Sequence, residues 1–140
     1  MYRLIALFCL LSYIVLNVND QDEQTILFSK KGDAGLMKIS KEVIGKKTFF
    51  IFDYEDRTEK FYTDKKPIKI PSSSVKGLLT KTPRELRVLE KKEIDNNLEK
   101  SKTEGKVKVL LSINDLFPEI YLLEKLNDSE YLKYRVYWDH

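Results

Sequence analysis

Apolar and polar residues alternate with several different rhythms along the 140-residue chain. It opens with an uncharged apolar run over residues 4–16 (LIALFCLLSYIVL), behind a single cation, Arg3. Short stretches rich in branched and aromatic residues follow over 25–29, 36–43 and 48–54, with Gly32, Gly35 and Gly45 between them. The third, TFFIFDY, has so few polar positions that it predicts a strand covered on both faces. Glu55-Asp56-Arg57-Thr58 reads as a turn and 60–63 as a returning strand, which makes an antiparallel hairpin. Pro67 and Pro71 bracket Ile68-Lys69-Ile70, an edge strand where a missing N–H is tolerated. A loop spans 72–80.

Thr82-Pro83-Arg84-Glu85 changes the rhythm. The Thr82 hydroxyl can accept from the third helical amide, Glu85 can reach back to the Thr82 amide, and Pro83 stands where no N–H is needed. A helix is predicted over 83–103 with Gly105 as its stop. Leu86, Leu89, Ile94 and Leu98 form a broad stripe from which Val88 departs, and Asn96-Asn97 is a possible break. Strict alternation returns over 106–113, where Val107, Val109, Leu111 and Ile113 share one face. Residues 119–126 and 131–138 flank the polar loop 127–130 as a second hairpin. Its last strand places Leu132, Tyr134, Val136 and Trp138 on one face, with Tyr131, Lys133, Arg135 and Tyr137 on the other.

Together these elements predict an α+β domain: a curled, mainly antiparallel sheet of short strands with one helix packed on it. A small β-barrel with the helix across one end satisfies the same alternation.

The first segment has the positive end, apolar stretch and abrupt polar boundary of a secretory signal peptide, and is shorter than the roughly 20 residues a membrane helix needs. The expected organisation is a signal over 1–19, cut near Asn19, and one secreted domain over 20–140. No later stretch is apolar enough to span a membrane. The only cysteine, Cys9, would leave with the signal, so packing alone must hold the domain. Losing the segment would remove one cation, Arg3, from 25 basic residues set against 22 acidic ones. So balanced a charge, carried mostly by lysine, argues against nucleic acid as a partner. The pairs Lys30-Lys31, Lys46-Lys47, Lys65-Lys66 and Lys91-Lys92 could meet an anionic membrane or glycan, although such pairs are ordinary solubility devices.

Composition also restricts the chemistry. The one histidine, His140, is the last residue, and no cysteine follows Cys9, so the common triads, thiol nucleophiles and zinc sites have no residues to build them. No glycine stands in a phosphate-binding pattern. No catalytic residue, metal site or cofactor is expected. Asp53, Glu55 and Asp56 are the one carboxylate group that could support a hydrolase, and they are equally the residues of a solvated turn.

What remains is a non-enzymatic binding protein that contacts another protein through a sheet edge or a tyrosine-rich face, with Tyr131, Arg135 and Tyr137 as candidate contacts. A carrier of a small apolar ligand inside the curled sheet is the alternative, and a carboxylate-dependent hydrolase comes third. Asn127-Asp128-Ser129 is an N-x-S acceptor in the hairpin loop, so Asn127 is a candidate glycosylation site.

Overall fold

A computed structural model describes residues 23–105 and 113–139. The segment expected to be cleaved, His140 and most of the strand expected over 106–113 lie outside the described residues.

The described chain runs β1 (Glu23–Leu27), β2 (Leu36–Ile44), β3 (Lys47–Tyr54), β4 (Thr58–Thr63), β5 (Ile68–Pro71), a 3-10 turn (Ser72–Ser74), α1 (Pro83–Glu104), α2 (Ile113–Leu116), β6 (Glu119–Lys125) and β7 (Glu130–Asp139). The strands form one mixed sheet in the order β1-β6-β7-β4-β3-β2, and β5 also pairs with β7. All pairings are antiparallel except β1 with β6. β7 organises the sheet because it is long enough to take β6 along one side and β4 followed by β5 along the other. The bend at Pro67 lets the chain leave β4 and resume pairing as β5, whose last residue is Pro71.

The sheet curls without closing. Lys41 of β2 reaches Glu124 of β6 at 2.8 Å, although three strands separate them in the sheet order. Phe28, just after β1, packs edge-on against Phe50 and Phe52 of β3, at ring separations of 5.3 and 5.6 Å. The fold is therefore α+β with a curled open sheet, and the barrel alternative does not hold.

The inner face carries the core: Ile26, Phe50, Phe52, Phe61, Ile120, Leu122, Tyr134, Val136 and Trp138, joined by Leu86 of α1 and by Phe117. Its rings touch one another in sequence. Phe52 meets Phe61 edge-on at 5.9 Å, Phe61 stacks on Trp138 at 5.2 Å, and Phe50 meets Tyr134 at 4.8 Å. Such contacts add a directional term to the burial of large apolar areas.

α1 begins as its sequence dictates. Thr82 Oγ1 accepts from the Glu85 amide at 3.2 Å, and Glu85 Oε2 accepts from the Thr82 amide at 2.8 Å. The helix ends at Gly105, whose φ of 66° is left-handed backbone that a side chain would strain. It runs unbroken through Asn96 and Asn97. Leu86 is fully buried and Leu89 half-buried, whereas Leu98 is exposed, so the first half holds the helix to the sheet.

Three expectations need correction. Ile113 opens the short helix α2 instead of closing a strand, and Pro118 ends that turn one residue after Phe117 enters the core. β3 is not uniformly covered on both sides: Phe50, Phe52 and Tyr54 are buried inward and Ile51 outward, but Phe49 is only half-buried. β4 begins at Thr58 instead of residue 60, which brings Glu59 into the strand.

Candidate binding face and buried ion pair

The outer face of the sheet carries a line of half-exposed rings. Phe49 of β3 is in register with Tyr62 of β4, and Tyr62 with Tyr137 of β7. Residues directly opposite on neighbouring strands point to the same face, so the three rings form a ladder, with centroids 6.1 and 5.6 Å apart. Lys47 Nζ lies 4.6 Å from the centre of the Tyr62 ring. Further along β7, Arg135 is in register with Tyr121 of β6, and Lys133 Nζ lies 4.2 Å over the Tyr121 ring. Cations held over ring faces are the arrangement by which aromatic and basic side chains share one surface. The Tyr121 hydroxyl titrates above the ordinary tyrosine value because of burial first, then the charges of Glu119 and Glu23.

Of the three residues singled out from the sequence, Tyr137 and Arg135 fall in this patch. Arg135 Nη2 donates to the Pro118 carbonyl at 3.4 Å, while its buried Nε has no hydrogen-bond acceptor among the described residues. Tyr131 shares the face but stands at the far end of β7, in register with Lys125 and Ile70, six residues and about 20 Å of strand from Tyr137. Phe49, Tyr62 and Tyr121 complete the patch. Parity within each strand places them on this face, but their neighbours depend on a strand order that crosses from β4 to β7, and local sequence does not encode it.

The second arrangement is buried and charged. Glu59, with 1% of its surface exposed, projects inward between strand and helix. Arg87 of α1 donates from Nε to Oε1 at 2.7 Å and from Nη2 to Oε2 at 2.8 Å, a two-pronged pair. Trp138 Nε1 donates to Oε2 at 2.9 Å, and the Arg87 guanidinium lies 4.4 Å over the Trp138 ring. Arg87 also donates from Nη1 to Glu90 at 3.0 Å. Hydrogen bonding to Glu59 raises the Arg87 pKa above its usual value, outweighing partial burial. Both Glu59 oxygens accept hydrogen bonds, so this carboxylate joins helix to sheet. Sequence reading missed it because a glutamate beside a turn looks solvated. The clue was parity, since Glu59 alternates with Phe61 and Thr63 on the covered face.

The hairpin acids are more exposed and serve the same end of the molecule. Asp53 accepts from Thr58 Oγ1 at 2.8 Å. Asp56 pairs with Arg84 and Arg57. Desolvation would raise the Asp56 pKa, but bonds from its own amide and from Arg84, with the charges of Arg84 and Arg57, hold it below the usual carboxylate range. The Arg84 guanidinium also lies 4.6 Å over the Tyr54 ring, and a Cβ at Gly35 would come within 3.2 Å of Arg84 Nη1. Tyr54 in turn donates to Asp33 at 2.6 Å. The described residues contain no cluster of three or more His, Cys, Asp or Glu side chains able to hold a metal ion. They also contain no helix long and apolar enough to cross a membrane.

Asn127 is exposed between β6 and β7. Its Oδ1 accepts from the Ser129 amide at 3.0 Å and from Ser129 Oγ at 2.9 Å, and its Nδ2 donates to Glu130 at 3.3 Å. No protein-family model matches the chain, and comparison with curated proteins and with solved structures likewise gives no match.

Proposed function

We propose that the chain is an exported, non-enzymatic binding protein that takes a protein partner on the outer aromatic face. The observation that carries this reading is the Phe49–Tyr62–Tyr137 ladder, three half-exposed rings in register across three strands and bordered by Lys47. Rings already held by their neighbours lose little conformational freedom on binding, which is why tyrosine and arginine concentrate where partners bind. A partner suited to this face presents apolar surface bordered by carboxylates, one for Lys47 and one for Arg135. The carrier reading has less support, because the inner rings of the curled sheet are packed against one another.

A photo-crosslinking residue placed at Tyr137, with a second protein carrying it at Lys91 on α1, tests the face. One discrete adduct from position 137, lost on Tyr62→Ala and absent from position 91, is expected. No adduct, or equal adducts from both positions, would rule the face out. Export is tested separately by sequencing the N-terminus of protein recovered from producing cells. A start near residue 20 is expected, and intact Met1 confined to the cytosol would overturn it.

A further inference from the structure

The two turns at one end of the sheet combine exposed apolar and basic side chains, of which only Lys47 also borders the aromatic ladder. Thr48 of β3 is in register with Thr63 of β4, so the β2–β3 turn and the bend after β4 lie side by side. The first carries Val43, 71% exposed, and Ile44, 63% exposed, followed by Lys46 and Lys47. The second carries Lys65 and Lys66, both exposed. None of these four lysines is in an ion pair with a carboxylate among the described residues. The acids beside these residues in the chain are Glu42 and Asp64, and Glu124 of β6 reaches the same hairpin, where it is paired with Lys41.

Charge is distributed unevenly along the molecule. β3 leaves the lysine-bearing turn at Lys47 and ends at Tyr54, beside Asp33, Glu55 and Asp56, about 25 Å away. The cations Arg57 and Arg84 pair with Asp56 at that far end, and Lys30 and Lys31 precede Asp33, so its charges largely offset one another and a negatively charged surface would favour the lysine end.

We propose that this tip docks on an anionic lipid bilayer, with Val43 and Ile44 entering the interface and Lys46, Lys47, Lys65 and Lys66 lying at the level of the headgroups. A polyanion in water would satisfy the lysines and leave two large apolar side chains in solvent. A bilayer interface accommodates both kinds of group at once. Lysine also suits a surface of diffuse charge, since its ammonium is a point charge on a long stem, without the planar fork that grips one phosphate.

The test is co-sedimentation of the full chain with phosphatidylcholine vesicles, with and without phosphatidylserine. The reading is the increase in binding produced by the anionic lipid, because the apolar segment over residues 4–16 is common to every arm. Lys46→Glu with Lys65→Glu should lower that increase about tenfold or more. Val43→Ser with Ile44→Ser should lower it severalfold, and Lys91→Glu with Lys92→Glu on α1 should leave it unchanged. Unaltered Trp138 emission certifies folding, and Lys46→Ala with Lys65→Ala replaces any charge reversal that fails this check. The proposal fails if phosphatidylserine adds nothing, if the tip variants bind like the parent, or if the α1 variant loses as much as they do. It fails equally if the chain binds heparin beads and the Val43/Ile44 variant is unaffected on vesicles, since the surface would then be a site for soluble polyanions.

Discussion

At the scale of single residues, the most consequential side chain is Glu59. Burying a carboxylate is costly unless its partners hold it well, and Arg87 and Trp138 supply three hydrogen bonds to its two oxygens. Glu59→Gln keeps the shape and removes the charge, leaving the Arg87 guanidinium against an uncharged amide. Because Arg87 stays partly wet, the loss should lie near the low end for a broken buried pair, about 3 kcal/mol, read as a lower urea midpoint at unchanged slope. An unchanged midpoint would mean that the pair contributes no net stability. Asn127 presents the opposite situation, an exposed side chain held by its own turn. If the chain passes through a glycosylating secretory pathway, the secreted protein should lose mass on amidase treatment, and Asn127→Gln should abolish that loss. Since the exposed Asn127 side chain hydrogen-bonds within its own turn, to Ser129 and Glu130, the substitution should leave the thermal midpoint within a degree or two. A secreted protein with no amidase-sensitive mass would remove Asn127 as an acceptor.

At the scale of elements, α1 shows what local chemistry can and cannot specify. Its two ends were readable because caps depend on the residues beside them: the Thr82–Glu85 box, Pro83 at the first position and Gly105 in left-handed backbone are all as the sequence implied. Thr82→Ala should cost about 1 kcal/mol, and Thr82→Ser should restore most of it, because a hydroxyl is all the cap requires. Equal losses from both would assign Thr82 a packing role instead. Which part of the helix is held down was harder to read. Leu86 and Leu98 look equivalent in an apolar stripe, yet only Leu86 is buried, a difference that tertiary packing makes and the stripe itself does not encode. β4 gives a similar lesson. Proximity to the Glu55–Thr58 turn hid two strand residues, since turn chemistry fixes where a chain reverses but not how soon pairing resumes.

At the scale of the whole molecule, the alternating faces of β7 were legible from the sequence: Tyr134, Val136 and Trp138 point into the core, and Tyr131, Arg135 and Tyr137 outward. Strand order was not, because the β4–β7 and β1–β6 pairings join segments far apart in the chain, and no turn chemistry records them. The candidate face inherits this asymmetry, so Tyr137 could be named in advance while its neighbours Tyr62 and Phe49 could not. Curling also places two tyrosine hydroxyls beside carboxylates: Tyr54 donates to Asp33 at 2.6 Å, and Tyr134 to Glu124 at 3.2 Å, next to the Lys41 ammonium. Burial first, then the neighbouring Glu124, pushes Tyr134 up to about 12 from an ordinary 10.0. Burial and then Asp33 raise Tyr54 in the same direction. For an acid of raised pKa, the unfolded chain releases its proton near the ordinary value while the native state retains it. The unfolded state therefore binds fewer protons above pH 10, and native stability falls as pH rises through that region. Between about pH 10 and 12 the parent protein should lose stability steadily in urea titrations. The Tyr54→Phe, Tyr134→Phe double variant should start lower at neutral pH, by about 1 kcal/mol for each lost hydrogen bond, and decline less steeply over the alkaline range. Parallel alkaline declines in parent and variant would show that these two hydroxyls ionise as readily in the native protein as in the unfolded chain.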